Sequence, residues 1–224
     1  MTLEKIATKA ITSATTKGVM TAVEKIRQKR DAAFYESMSF SLLNEGLTTE
    51  QISTLLEKSL DDNQRELIYQ GAMKSLLSNS LLAVQMIAVL TAKQLLENSN
   101  SESMKNQRLL RALITIDDNE VLFLDKVVSK YWELSGGKPA VRIGGMEDPD
   151  SKIRILGKTS IIAEQLNEND SSQYDEIIPT LRTLGVVETD FYGSSSTTAL
   201  ISSFTEEIVR LYKVTQGFPN QETT

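Results

Sequence analysis

The stretch that most constrains the fold is residues 62–97, which contain no proline and only one glycine, Gly71. If unbroken, a helix over these residues spans about 50 Å. Its segment 81–90, LLAVQMIAVL, is apolar nearly all round, which is typical of the central helix of a bundle or of a membrane span. The run is shorter than the roughly 20 residues that a bilayer needs, and polar residues at 78–80 and at Gln85 interrupt it. The pattern therefore favours a helical bundle.

A long apolar helix in a small bundle often needs a second chain to cover it. Segment 81–90 therefore also predicts a homodimer, with Val84 and Ile87 as contact residues.

Helix-start and helix-stop signals precede this stretch. Apolar residues recur at three- and four-residue steps from about residue 18 to 45, which predicts an amphipathic helix that ends at Gly46. Thr48 and Gln51 have the spacing of a capping box for a second helix, and one of the two aspartates at 61–62 caps the third. Residues 1–98 are accordingly predicted to be a long-helix region.

Polar residues then separate this region from the rest of the chain. Residues 99–116 are predicted to be a linker with a short helix, and 117–214 a second domain. Asp117 and Glu120 have capping-box spacing at the start of a helix in this domain, and two glycines at 136–137 end it. Residues 215–224 are predicted to be a flexible tail.

The remaining elements have an informative order: a glycine-rich loop, a strand, two helices, a strand, a turn, a strand and a helix. Their predicted positions are 136–151 for the loop, 152–156, 186–188 and 198–201 for the strands, 159–166 and 172–184 for the two helices, 192–196 for the turn and 203 onward for the last helix. The expected fold class is thus mainly α with a small β-wing.

Two segments resemble the winged helix-turn-helix family. Residues 181–188, which include Leu181, Leu184 and Gly185, resemble the junction at which the third helix ends and the first wing strand begins. Residues 204–209 resemble the entry to the closing helix. The resemblance covers residues 117–214 and implies a winged-helix domain beside the long-helix bundle.

The whole chain more loosely resembles a set of uncharacterised bacterial and phage-borne proteins that join a long-helix N-terminal half to a C-terminal winged helix. Some members of that set are linked to abortive-infection defence. This resemblance implies a bacterial or phage origin.

The composition excludes several kinds of chemistry, because the chain has no histidine and no cysteine. Ser-His-Asp and Cys-His catalysis, imidazole or thiolate metal sites and disulfides are all ruled out. Gly157-Lys158-Thr159 lacks the first glycine of a phosphate-binding loop, and the acidic group at 147–150 lacks EF-hand spacing. We therefore expect no enzyme, no cofactor, no metal site and no small-molecule substrate. A carboxylate-dependent hydrolase is the one enzymatic alternative that the clustered acids leave open, and it predicts a tight site for a divalent metal ion.

Charge is unevenly distributed along the chain. Residues 1–30 hold seven Lys or Arg against two Glu, a net +5, so the remaining residues carry −11 of the total of −6. Residues 158–190, which include the would-be recognition helix, hold two basic against seven acidic side chains, and Pro179 is expected to interrupt that helix. Since phosphate neutralisation supplies much of the affinity for DNA, an acidic winged helix favours a protein partner or dimerisation.

The main alternative is a DNA-binding transcriptional regulator that uses the basic N-terminal segment. No apolar core of a signal peptide follows the first lysines, so a cytoplasmic protein is expected. The predicted interaction residues are Lys25, Arg27, Lys29, Arg30, Val84, Ile87, Gln173 and Arg182.

Overall fold

The structure, a computed structural model, describes residues 3–56, 61–97, 104–135, 153–156, 172–192, 196–201 and 203–218. Side chains are described at 23–56, 61–97, 104–129, 174–186 and 204–218. The described chain is mainly α-helical, as expected. Its helices are α1 (Leu3–Asn44), α2 (Thr49–Thr54), α3 (Asp62–Leu77), α4 (Leu81–Leu96), α5 (Met104–Thr115), α6 (Asp118–Ser135), α7 (Ser172–Thr183) and α8 (Ser203–Thr215), and its strands are β1 (Ile153–Leu156), β2 (Val187–Tyr192) and β3 (Ser196–Ile201).

The end of α1 and the start of α2 follow the local sequence signals. Gly46 adopts φ 92°, its N–H donates to the Leu43 carbonyl at 2.9 Å, and the N–H of Leu47 donates to the Leu42 carbonyl at 3.2 Å. This is a Schellman motif, which satisfies two of the carbonyls left open at a helix end. The expected capping box of α2 is also present, with Thr48 and Gln51 bonding each other's backbone N–H.

The helical stretch expected over residues 62–97 is not one unbroken helix. The chain breaks at 78–80, and α3 and α4 fold back on each other as a hairpin. The Ser80 hydroxyl accepts a hydrogen bond from the N–H of Ala83 at 3.0 Å, so Ser80 caps α4, while Asp61 caps α3 through Gln64. The Ser80 cap thus stabilises the start of a new helix within a stretch whose apolar pattern is continuous.

Helix α4 is the centre of the bundle, because it packs against α1, α3, α5 and α8. Eleven of its sixteen residues are buried, which agrees with its apolar sequence. No helix among the described residues is both long and apolar enough to cross a membrane.

The segment expected to be a linker contains α5, which buries Leu109, Leu110, Ala112 and Leu113. Buried side chains from Ala33 in α1 to Tyr212 in α8 belong to one hydrophobic cluster. The helices on either side of the expected domain boundary thus share a core. The division of the chain into domains at these positions stays a prediction.

Strands β1, β2 and β3 form one antiparallel sheet in the order β1-β3-β2. In the central strand, Ile201 pairs with Ile153 of β1 and with Val187 of β2. Between α7 and β2, Gly185 has φ 66° and forms a second Schellman motif, in which Val186 donates to the Leu181 carbonyl at 2.9 Å.

The expectation that Pro179 interrupts the second helix of this region is wrong, since α7 continues through it to Thr183. The expected loop at 136–151, the helix at 159–166, the turn at 193–195 and the tail beyond residue 218 lie outside the described residues.

Candidate interaction surfaces

The basic residues predicted on α1 have two different environments. Lys25, Arg27 and Lys29 are exposed. Arg30 is half-buried, and its Nη1 donates a hydrogen bond to the Leu76 carbonyl at 2.8 Å. Because that carbonyl lies in the last turn of α3, where no intrahelical donor is available, Arg30 fastens α1 to the end of α3 and is a structural residue.

The two apolar residues predicted to contact a second chain are buried within their own chain. Val84 and Ile87 each have 0% of their surface exposed. A single chain therefore already covers the α4 stretch, and the reason for placing a dimer interface there no longer holds. Since these side chains point into the core, they are corrected from interface residues to core residues.

The exposed face of α7, as far as its side chains are described, carries mainly carboxylates and hydroxyls. Asp175, Glu176, Thr180, Arg182 and Thr183 are all exposed. The side chain of Gln173 lies outside the described residues, so its predicted role stays a prediction.

The two threonine hydroxyls of this face bond to the helix that carries them. Thr180 Oγ1 donates to the Glu176 carbonyl and Thr183 Oγ1 donates to the Pro179 carbonyl, each at 3.0 Å. Their donor protons are thus already used. The charged side chains among the described residues of the α7 face are Asp175, Glu176 and Arg182.

Helix α7 is held to the body by apolar contacts on its other side. Tyr174 and Leu181 are 2% and 0% exposed, and the Tyr174 ring lies 4.9 Å from the ring of Phe123 in α6. This anchoring fixes which side of α7 faces outward.

The turn after α7 is held by Arg108 of α5. Its Nη2 donates to the Gly185 carbonyl at 2.8 Å, and its guanidinium carbon lies 4.7 Å from the centre of the Phe204 ring. The Thr205 hydroxyl donates to the Val186 carbonyl. These contacts attach the start of β2 to α5 and α8, so the α7 face is fixed to the bundle.

An open groove of about 460 Å³ is lined by one side of α1, with Gln85 of α4 and Phe218 after α8. Its walls are largely apolar and aromatic, with the Phe40 and Phe218 rings edge to face at 5.0 Å. The lining residues are Tyr35, Glu36, Ser37, Ser39, Phe40, Leu43, Gln85 and Phe218. A cavity of this size, with a few polar groups among apolar ones, can accept apolar side chains or a small apolar ligand.

Sequence reasoning did not find this groove. The available signal was that Tyr35, Phe40 and Leu43 lie off the core-facing stripe of α1, which includes Phe34, Met38 and Leu42. Tyr35 and Leu43 remain 47% and 41% exposed, so the second stripe does not join the core.

A cluster of charges joins α4 to α8. Glu207, whose side chain is 10% exposed, accepts a bond from Lys93 Nζ at 2.9 Å and two from Arg210 Nη2 at 2.5 and 2.6 Å. Burial raises the pKa of Glu207, but the hydrogen bonds from Arg210 and Lys93 outweigh it, so the pKa lies below its usual value. The carboxylate is therefore ionised at neutral pH and acts as a structural ion pair.

The second perturbed acid is also structural. Burial raises the pKa of Glu120, which exchanges capping-box bonds of 2.9 Å with Asp117 at the start of α6. This confirms the capping box expected at these two residues. Among the residues with described side chains, no group of three or more acidic residues is arranged to hold a metal ion.

Comparisons with protein-family models, with curated proteins and with solved structures found no match to this chain.

Proposed function

We propose that this chain is a non-catalytic, cytoplasmic interaction protein of bacterial or phage origin, whose C-terminal region is a winged helix that binds another protein. The order of elements supports the winged helix. Helix α7 leads through Gly185 into β2, β2 pairs with β3, β1 pairs on the other side of β3, and α8 closes the region.

The observation that carries the protein-binding role is the charge on the outward face of α7. Asp175 and Glu176 are both exposed there, and Arg182 is the one basic residue among its described side chains. A helix that enters a DNA groove approaches phosphates on both sides, so two carboxylates would oppose it. A basic protein surface has the complementary charge.

The groove on α1 adds support for a protein partner. Its aromatic walls offer sites for apolar side chains, as in the grooves that bind amphipathic helices. The phosphate backbone of DNA has no apolar side chains that would fill these sites.

Photo-cross-linking tests this role directly. A photoreactive residue at Glu176 is expected to give a discrete protein adduct in cells that naturally express the chain, and the same residue at Glu50, an exposed acid on α2, is the matched control. Adding Asp175→Lys to the Glu176 probe should abolish the adduct, because it reverses a neighbouring charge. Adducts no stronger at Glu176 than at Glu50 would contradict the proposal.

DNA binding is the second candidate, and the exposed Lys25, Arg27 and Lys29 favour it. It predicts a mobility shift with duplex DNA at low salt that weakens steeply as salt is raised. The shift should decrease in a Lys25→Glu, Arg27→Glu, Lys29→Glu variant and be unchanged by Arg182→Ala. No shift with wild-type protein at low salt would reject this candidate.

A further inference from the structure

The N-terminal part of α1 extends beyond the bundle. Residues 23–29 are exposed at every position, and since they span almost two turns, every side of the helix is uncovered there. Two of them are apolar: Val23 is 59% exposed and Ile26 is 53% exposed. The first buried residue of α1 with a described side chain is Ala33.

The N-terminal extension, residues 1–30, has a sequence that forms a helix poorly by itself. Eleven of the first 30 residues are threonine, valine or isoleucine, and Gly18 adds a twelfth unfavourable residue. Beta-branched residues and glycine have low helix propensity, and most helical stability in proteins comes from packing of an apolar face. A helix of this composition therefore needs a surface to pack on.

The uncovered residues lie at one end of the bundle. Arg30 is bonded to the Leu76 carbonyl, so the hairpin tip at 78–80 lies beside this part of α1. Ile26 lies one turn before Arg30 on the same side of the helix. Leu77, beside the tip, is 62% exposed, so this end carries apolar side chains from both α1 and α3.

We propose that two copies of this chain join at this end as a symmetric dimer, in which residues 3–29 of each copy lie along the α3–α4 hairpin of the other, with Val23 and Ile26 packed against Leu77 of the second copy. A two-fold axis between the hairpin tips makes the interface reciprocal, because the same patch serves on both copies. The dimer does not depend on what the α7 face binds.

Charge points to the second copy as the occupant. Residues 1–30 carry +5, and residues 61–66 at the start of α3 hold three acidic side chains against one basic, so the extension and the start of α3 in another copy attract each other. The positions of the opposite charges also match. Helices α1 and α3 are antiparallel, since Arg30 contacts Leu76 and Phe34 lies beside Gly71. The extension of one copy therefore runs toward the start of α3 in a second copy that meets it tip to tip.

Distances along the helices agree with this arrangement. Lys9 lies about 21 Å from Val23 along α1, and Asp62 lies about 22 Å from Leu77 along α3. With Val23 of one copy packed against Leu77 of the other, Lys9 is level with the acidic start of α3 in that copy, where Asp61 and Asp62 are exposed.

Sedimentation velocity of the full chain is the first test. Wild-type protein should sediment at twice the chain mass of 24.9 kDa. Val23→Asp with Ile26→Asp should raise the dissociation constant at least about 100-fold. Leu122→Asp, which changes an apolar residue of α6 that is 42% exposed, is the matched control and should leave the dimer intact. A wild-type monomer, or a dimer unaffected by the double change, would overturn the proposal.

Cysteine cross-linking provides a second, independent test, and the chain has no cysteine of its own to interfere. Separately purified Ile26→Cys and Leu77→Cys proteins, one carrying a mass tag, should form a disulfide-linked heterodimer when mixed and oxidised. Leu122→Cys in place of Leu77→Cys should form none. Equal cross-linking in both mixtures would reject the proposed contact even if the aspartate variants failed to fold.

Binding to anionic vesicles or to duplex DNA by a wild-type monomer would assign the extension to another occupant and overturn the dimer. Failure of the Glu176 cross-link would reject the proposed role of α7 and leave the dimer unaffected, so the two proposals fail separately.

Discussion

Replacing Glu207 by glutamine tests whether the charge cluster between α4 and α8 stabilises the fold. Glutamine keeps the shape and one acceptor oxygen but removes the negative charge that faces Lys93 and Arg210. Removing one member of a fully buried ion pair costs about 3–5 kcal/mol. Here the cost is lower, because the Lys93 and Arg210 side chains are 34% and 58% exposed and water can solvate them when the carboxylate is gone.

We therefore expect the Glu207→Gln change to lower the free energy of unfolding by about 1–2 kcal/mol near pH 7. For a chain of this length, that corresponds to a fall in the melting temperature of roughly 2–8 °C. Glu206→Gln is the matched control. It removes the same charge from the neighbouring, partly exposed residue and should cost no more than about 0.5 kcal/mol.

The effect has a predictable dependence on pH. The folded-state pKa of Glu207 lies below its usual value of 4.5, so the folded state favours the ionised carboxylate. Its contribution is fully present above the pKa of the unfolded chain and is lost as pH falls through the folded-state pKa. The gap between wild-type and Glu207→Gln protein should therefore narrow as pH falls below the usual pKa of 4.5.

Urea unfolding followed by circular dichroism, at several pH values, measures this gap. A Glu207→Gln protein as stable as wild type near pH 7 would show that the ion pairs contribute nothing. A deficit that does not narrow at any pH below 4.5 would show that it arises from packing and not from charge.

Two further changes test contacts that position the helices. Gly71→Ala places a methyl group against Thr91 Oγ1 and 3.0 Å from Cζ of the fully buried Phe34, so we expect thermal melts to show a loss of about 1–2 kcal/mol despite the higher helix propensity of alanine. An unchanged or raised melting temperature would contradict this. Arg108→Ala removes the bond to the Gly185 carbonyl and the contact with Phe204, and should cost about 1 kcal/mol and speed hydrogen exchange of the nearby N–H groups. Exchange as slow as in wild type would show that the turn is held without Arg108.

Helix ends were predictable from the sequence where a few adjacent residues determine them. Gly46 ends α1 because its positive φ suits glycine, and Thr48 with Gln51 starts α2 because each side chain reaches the other's backbone. The same holds for Asp117 and Glu120 at α6. These interactions are complete within four residues, so no tertiary information is needed.

The break between α3 and α4 shows where such reasoning fails. Ser80 has the chemistry of an N-cap, but the apolar periodicity on both sides of it also fits a continuous helix. The hairpin is preferred because it lets α3 and α4 pack on each other and on α1. That gain depends on residues distant in sequence.

The candidate surfaces were less predictable than the fold, for the same reason. The groove exists because Phe218 meets Phe40, and 178 positions separate them in the chain. The burial of Val84 and Ile87 within their own chain could not be predicted either. An apolar sequence shows that a helix is covered, but not whether its own chain or another covers it.

The burial of α4 also restricts where this chain can bind a partner. Because α1, α3, α5 and α8 already surround α4, opening that core to a second chain would expose buried apolar surface and cost far more than a typical interface returns. Among the described residues, the features that this core leaves outside and that can bind a partner include the groove on α1, the acidic face of α7 and the exposed Val23 and Ile26. Of these, only the last carries apolar side chains on a helix segment with no cover on any side within the described residues. It is the place where a second copy can add buried apolar surface without disturbing the core.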